Sequence, residues 1–284
     1  MTEAEKLQYY RYHNENLIHL KFSFAEIKRQ ILDNFRNVNS SSQLVYALNS
    51  NSSDYIEAKK LETTYSRLLS GIQVCITEEN LKRLVYEPKA FNSIQIDEIL
   101  NQTSLNIKWE LAFKIGFCNA FELTQPGNPS CRNFRISRQR NNLGDELCNK
   151  YSLLKNVIDQ NLLPNFRVRN KILHGEWINA FEPPNSKIFS TNYSEIINNE
   201  TLPIINHRLN IANSFYNLIV DLVRFNSDAF KLNSLETPFE YFYNKYMQKI
   251  SEEATKINQN QYTKYVENII KKTIIGIQKK SVSI

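Results

Sequence analysis

The sequence has little of what builds zinc sites, disulfide frameworks and membrane spans. Its four cysteines stand singly, without a C-x-x-C pair, and no two histidines have the spacing of metal ligands. These patterns predict no metal, no cofactor and no disulfide framework, as is usual in a reducing compartment. No apolar run approaches the roughly 20 residues needed to cross a bilayer, and the polar, charged start of the chain predicts no signal peptide. We therefore expect a soluble, cytoplasmic protein that does not act at a membrane.

Glycine and proline are also scarce, with 6 and 8 among 284 residues, which argues against a turn-rich β fold. Hydrophobic residues make up 42% of the chain, enough for a buried core, and they recur at three- and four-residue steps. This spacing predicts an all-α fold. The predicted helices cover residues 3–37, 54–75, 77–86, 96–101, 104–124, 143–161, 164–181, 202–229, 238–255 and 259–279.

The predicted helices fall into three regions. Residues 1–100 form an N-terminal helical region to which the sequence assigns no role. Residues 101–232 hold the helices expected to pack as a bundle, and residues 233–284 form a tail of basic amphipathic helices. The less regular segment 88–102 marks the first boundary, and Pro238 begins the tail.

The residues best suited to chemistry are concentrated in one stretch, Arg167-Val168-Arg169-Asn170-Lys171-Ile172-Leu173-His174-Gly175. Pro164 stands just before this stretch and Gly175 closes it, which is typical of the start and the end of a helix. The residues Glu176-Trp177-Ile178 would also continue the pattern, so the predicted helix extends from 164 to 181.

The helical period places three polar residues of this stretch together. At about 100° per residue, Arg167, Asn170 and His174 fall on one face, and Arg169 lies on its flank with a side chain long enough to reach that face. Histidine titrates near neutrality and can move protons, whereas arginine offers a planar, permanently charged fork that matches phosphate oxygens. Taken alone, these residues could equally be a solvated helix face, but their types suit proton transfer and phosphate binding.

The pattern R-N-x-x-x-H, carried by Arg169, Asn170 and His174, resembles the signature of the HEPN superfamily of helical ribonucleases and nucleotide-binding proteins. The resemblance implies that the motif lies on one helix of an all-α bundle, and that two protomers pair so that both motifs face a shared cleft. It also implies metal-independent cleavage of RNA. In that reaction His174 would transfer protons, Arg169 would stabilise the phosphate, and Asn170 would position these groups.

The same resemblance implies an RNA substrate, a homodimer, and a role as a toxin or antiviral-defence effector with an inhibitory or sensor protein as partner. Glu176 stands where some members carry a tyrosine that is modified in toxin–antitoxin pairs, so that regulation is not implied here. Two alternatives stay open. The chain could be a non-catalytic HEPN-like module that binds RNA or nucleotide or scaffolds a complex, or a helical interaction subunit in which the motif is accidental.

Further arginines are candidate phosphate contacts. The formal net charge of +6 fits an anionic partner, and phosphate contacts supply most non-specific affinity for nucleic acids. The alternative is an exposed loop without a ligand. The candidate RNA-binding residues are Arg132, Arg135, Arg138, Arg140 and Arg167. The remaining histidines, His13, His19 and His207, are interpreted as unpaired residues on helix faces, and the aromatic residues as core packing.

Overall fold

The observed fold is all-α, as the apolar spacing predicts. The structure, a computed structural model, describes residues 1–38, 53–123, 140–182, 188–224, 238–259 and 265. The helices in chain order are α1 (Glu3–Val38), α2 (Ser53–Val85), α3 (Ser93–Leu100), α4 (Leu105–Ala120), α5 (Arg140–Val157), α6 (Leu163–Leu173), α7 (Thr191–Asn198), α8 (Leu202–Arg224) and α9 (Pro238–Asn258). A π-helical turn, Ile158–Leu162, joins α5 to α6. None of the helices in these described segments is both long and apolar enough to span a bilayer.

The long helices begin and end close to the predicted positions. Helix α1 covers Glu3–Val38 where 3–37 was expected, and α9 covers Pro238–Asn258 where 238–255 was expected. A continuous apolar stripe over many turns fixes such helices locally, so neighbouring elements change them little. Most of the predicted helix 259–279 lies outside the described residues.

The predicted break before residue 77 is wrong, because α2 runs without interruption from Ser53 to Val85. Thr77-Glu78-Glu79-Asn80 has the composition of a helix start. Thr77 and Asn80 are nevertheless buried within the last third of α2, and the Asn80 side-chain amide donates to the side-chain oxygen of Asn213 on α8, at 3.2 Å. These tertiary contacts continue the helix where the local signal would begin a new one.

The sequence, which has little periodicity over residues 182–199, predicts no helix or strand between the helices 164–181 and 202–229, but the structure has regular elements there. Two short antiparallel strands, β1 (Ala180–Phe181) and β2 (Phe189–Ser190), form a hairpin with Ala180 opposite Ser190. Helix α7 follows directly, and the Ser190 hydroxyl accepts a hydrogen bond from the Tyr193 amide in its first turn, at 3.4 Å. Strands of two residues and a helix of eight are too short for periodicity to reveal.

The chain forms two compact units, each made of several segments. Unit 1 consists of Met1–His19, Val74–Arg167 and Arg208–Ala254, and unit 2 consists of Leu20–Gln73, Val168–His207 and Thr255–Ile284. The boundaries expected from the sequence, at 100 and 232, are not tested by this grouping and stay a prediction.

Unit 1 is built around a ladder of aromatic rings. Trp109, Phe113 and Phe117 lie one turn apart on α4 and are fully buried. Phe215 of α8 contacts the first two rings, with centroids 5.8 and 6.0 Å away, and Tyr151 of α5 stacks on Phe113 at 4.9 Å. Edge-to-face and offset stacking of this kind adds to the gain from burying the rings. The aromatic residues of α4 therefore serve as packing, as their helical spacing predicts.

A polar cluster in unit 1 corrects the expectation that His13 is unpaired. Its Nδ1 lies 2.9 Å from a carboxylate oxygen of Glu79, and its ring stacks on Tyr86 with centroids 5.5 Å apart. Lys82 donates to the other oxygen of Glu79, at 2.8 Å. Burial alone would raise the pKa of Glu79, but the hydrogen bonds from Lys82 and His13 outweigh it and lower the pKa below its ordinary value of 4.5.

This cluster predicts an acid-sensitive contribution to stability. A carboxyl group whose pKa is lower in the folded than in the unfolded chain stabilises the fold above its ordinary pKa, and this stabilisation is lost as the pH falls through the folded value. We expect Glu79→Gln to lower the free energy of unfolding by about 1–2 kcal/mol at pH 7, since hydrogen bonds to a charged group are lost. The difference from wild type should shrink on acidification below about pH 4.5.

Denaturant unfolding of both proteins between pH 7 and pH 3.5 measures this difference. The control is Glu57→Gln, which removes an exposed carboxylate from the same helix. A Glu79→Gln protein that is as stable as the control at pH 7, or whose deficit is unchanged in acid, would contradict the prediction.

Candidate active site

Helix α6 carries Arg169 and Asn170 and ends at Leu173, directly before the histidine of the R-N-x-x-x-H motif. The His174 amide donates to the Asn170 carbonyl at 3.1 Å, and the Gly175 amide donates to the Ile172 carbonyl at 3.1 Å. Gly175 has a φ of +83°, in the left-handed region that a glycine adopts without strain. The predicted helix 164–181 is therefore too long, because Gly175 stops it rather than lying inside it.

The two faces of α6 differ as the helical period predicts. Val168 and Ile172 are 1% and 4% exposed and pack in a cluster with the buried Ala180 and Ile197 of unit 2. On the other side, the side chains of Arg167, Asn170 and His174 are exposed. The apolar face thus fixes the helix, and the polar face is left accessible to a ligand.

Arg169 lies on the flank between these faces and is half-buried. One of its guanidinium nitrogens, Nη1, donates to the side-chain oxygen of Asn170 at 3.2 Å. The asparagine of the motif therefore contacts the arginine side chain, whereas it is joined to His174 through the backbone. The joined side chains of Arg169 and Asn170 thus lie about one helical turn before the exposed imidazole of His174.

The turn that follows His174 is held by one side chain from the last turn of α6 and one from the turn itself. Lys171 and Glu176 form an ion pair of 3.1 Å whose side chains are 14% and 15% exposed. Glu176 also accepts a hydrogen bond from the Phe181 amide at 2.8 Å, and Lys171 donates to the Phe181 carbonyl. The polypeptide thus reverses after His174 and is fastened to strand β1.

A buried arginine from α2 fixes the next part of the turn. Arg67 is 1% exposed, and its guanidinium donates to the carbonyls of Trp177 and Glu200, at 3.1 and 3.2 Å, and to the side-chain oxygen of Asn198 at 3.4 Å. Burial lowers the pKa of Arg67, and the carboxylates of Glu200 and Glu62 oppose that effect. An arginine keeps its charge at neutral pH even so, so a permanent cation anchors the loop after the motif.

Trp177 connects the turn to the last turn of α6. Its indole N–H donates to the carbonyl of Ile172 in the last turn of α6, at 3.0 Å, and its ring packs against the cluster of Val168 and Ile172. The residue that follows, Ile178, is bound through its carbonyl to the Asn198 amide at 3.3 Å. Residues 174–181 have almost no regular structure, yet side-chain hydrogen bonds hold them along most of their length.

The candidate phosphate contacts are described only in part. Arg132, Arg135 and Arg138 lie outside the described residues, and Arg140 is the first residue of α5. Arg167 is exposed on α6, on the face of Asn170 and His174. In the part of the chain that the structure describes, no three His, Cys, Asp or Glu side chains are grouped so that they could hold a metal ion.

Three supporting residues were not found from the sequence. Lys171 and Glu176 are five positions apart, which a continuous helix would place on different faces, so their pairing depends on the turn at Gly175. Arg67 lies 110 positions before Trp177 and has no local signal. The glycine itself was the only feature from which the Lys171–Glu176 pair could have been expected.

Comparisons of the chain with protein-family models, with curated proteins and with solved structures gave no match. The site must therefore be interpreted from its own residues.

Proposed function

We propose that this chain is a metal-independent endoribonuclease of the HEPN type that acts as a homodimer. The observation that carries the proposal is the exposed His174 at the end of α6, with Arg169 and Asn170 joined about one turn earlier. The resemblance of R-N-x-x-x-H to the HEPN signature supplies the reaction class. The supported turn after His174 favours a catalytic role over an accidental motif, because a reacting group must be held in place.

The chemistry requires two proton transfers and one stabilised charge. A base removes the proton from the ribose 2′-hydroxyl, whose oxygen attacks the neighbouring phosphorus. As the new P–O2′ bond forms, the P–O5′ bond breaks, and an acid gives a proton to the leaving 5′-oxygen. Positive charge stabilises the pentacoordinate phosphorane between these steps. The products are a 2′,3′-cyclic phosphate and a 5′-hydroxyl.

A single copy of the motif supplies only one histidine and one arginine for this reaction. His174 can serve as base or as acid, and Arg169 can stabilise the phosphorane, but the reaction uses a base and an acid at once. A two-fold symmetric pair would bring two copies of each residue to one phosphodiester, and such pairing is the commonest symmetry of oligomers. Leu173 and Ile178, 65% and 61% exposed, flank His174 in the chain and would gain from burial against a second copy.

The biological setting is proposed from resemblance alone. HEPN-like ribonucleases act as toxins and as effectors of antiviral defence, so an inhibitory or sensor protein would complete the system. The alternative function is a non-catalytic module that binds RNA or nucleotide through Arg167 and Arg169. The accessible face of α6 would serve that function equally well. The chemical ends left on RNA after incubation with the protein distinguish cleavage from binding.

Incubation of the purified protein with total RNA and excess EDTA tests the proposal. We expect cleavage in the presence of the chelator, with ends that are 2′,3′-cyclic phosphates and 5′-hydroxyls, and sedimentation at the mass of a dimer. Binding of RNA without cleavage would favour the non-catalytic module. A protein that does not cleave RNA and binds neither RNA nor nucleotide would contradict both functions.

A further inference from the structure

Lys171 and Glu176 are joined to each other twice around His174. The Glu176 amide donates to the Lys171 carbonyl at 3.0 Å, and the Lys171 ammonium pairs with the Glu176 carboxylate at 3.1 Å. The first contact is the long hydrogen bond that closes a helix at a glycine, and the second is formed by side chains. His174 lies between the two residues, in a short ring of chain closed by both contacts.

The same pair also binds the outer edge of strand β1. Glu176 accepts the Phe181 amide at 2.8 Å, and Lys171 donates to the Phe181 carbonyl. A carboxylate and an ammonium thus take the places that the carbonyl and the amide of a neighbouring strand would occupy. The ring around His174 is thereby fastened to the hairpin, whose other strand leads into α7.

Glu176 is ionised in this arrangement. Its burial would raise its pKa, but the hydrogen bonds from Phe181 and Lys171, together with the charge of Lys171 and the proximity of His174, lower it. Both side chains are largely covered, so solvent screens the ion pair less than a pair on the open surface. The pair is therefore suited to hold one geometry, which an exposed imidazole at the end of a helix would not keep by itself.

We infer that Lys171 and Glu176 are positioning residues for His174, and that they act as a unit by clamping the turn that carries the imidazole to strand β1. The inference rests on the proposed function for its consequence in catalysis, but its statement about the position of His174 does not. Lys171 could instead bind an RNA phosphate directly. The two roles differ in one respect, since a clamp needs both residues, whereas a phosphate contact does not need Glu176.

A double-mutant cycle separates these roles. The variants are Lys171→Met, Glu176→Ala and the double variant, with Glu176→Gln as the conservative change that keeps an acceptor for the Phe181 amide. The control is Lys155→Met, which removes the lysine of an exposed ion pair with Asp159 of 3.1 Å, whose side chains are 44% and 40% exposed. Stability is measured for each variant, so that unfolding is not mistaken for an effect on the site.

The first readout is the NMR signal of the His174 ring, which is resolvable because the chain has only four histidines and is assigned with His174→Ala. We expect this signal to shift in Lys171→Met and Glu176→Ala, while those of His13, His19 and His207 stay in place. The His174 signal of Glu176→Gln should lie between the signals of Glu176→Ala and wild type. An unchanged His174 signal in both single variants overturns the inference, whatever the activity.

The second readout is cleavage of a defined RNA, analysed as kcat and KM. We expect each single variant to lose up to about 100-fold in kcat with little change in KM, as small displacements of a reacting group cost that much. The double variant should be no slower than the slower single variant. If the losses in kcat of the two single variants multiply in the double variant, or if KM rises only in Lys171→Met, Lys171 is assigned to RNA binding and the clamp is overturned. A wild-type protein without RNA cleavage, in which the ring signal still responds, would refute the proposed function and leave the clamp standing.

Discussion

Replacing His174 with alanine is expected to slow RNA cleavage by about 100- to 10,000-fold, the range that proton transfer by a positioned side chain contributes. The imidazole lies at the exposed end of α6, where its removal deletes no buried contact. The free energy of unfolding should therefore stay close to that of wild type. In a dimer the change removes both copies at once, so neither the base nor the acid remains.

The cleavage rate of a defined RNA, measured in EDTA at several pH values, gives this effect directly. His19→Ala is the matched control, because it removes another exposed histidine from a helix, α1. Arg169→Lys should retain charge but lose the planar fork, and so should be slower than wild type and faster than Arg169→Ala. If His174→Ala cleaves as fast as His19→Ala, the assignment of His174 to proton transfer is wrong.

The sequence predicted best what depends on a single helix. The common face of Asn170 and His174 on α6 followed from the period of 3.6 residues, which also directs Val168 and Ile172, buried in the structure, away from that face. The predicted end of α6 is wrong, because the apolar residues after Gly175 continue the helical spacing of the apolar residues before it. They are used instead in the turn, where Trp177 packs back on the helix that precedes it.

The buried polar contacts could not be predicted from the sequence, because they join residues that are far apart in the chain. Helix α2 buries polar residues at helical spacing, among them Arg67 and Ser70, on a surface that periodicity would assign to solvent. Each such residue needs a partner, and the Ser70 hydroxyl finds it in the Glu200 carboxylate at 2.9 Å, 130 positions away. Apolar spacing predicts that a face is buried, but hydrogen bonds between distant polar groups leave no periodic signal.

Loss of Arg67 is expected to have the largest effect on stability among the substitutions considered. Arg67→Met should lower the free energy of unfolding by about 3–5 kcal/mol, because three hydrogen bonds made by a buried charged group are lost. The methionine can fill part of the space, but it cannot bind the carbonyls of Trp177 and Glu200. It also leaves the carboxylate of Glu200, itself 3% exposed, without the nearby guanidinium.

Denaturant unfolding, followed by far-ultraviolet circular dichroism, measures this loss as a shift of the midpoint at unchanged slope. Lys60→Met on the same helix is the control, because Lys60 is exposed. The stability of Arg67→Lys should fall between those of Arg67→Met and Lys60→Met, since an ammonium retains the charge without the planar fork that reaches three acceptors. An Arg67→Met protein as stable as Lys60→Met would show that the buried guanidinium contributes little.

The double variant Arg67→Met/Glu200→Gln identifies where the cost arises. If an uncompensated buried carboxylate is the main penalty, neutralising Glu200 should recover part of the stability lost in Arg67→Met. If the unsatisfied carbonyls dominate, the double variant should be no more stable than the single one, because Trp177 still lacks its donor. In that second case the turn after His174 loosens even at temperatures where the chain remains folded. RNA cleavage should then decline in Arg67→Met before unfolding is detectable, which connects a buried arginine of α2 to the exposed imidazole of α6.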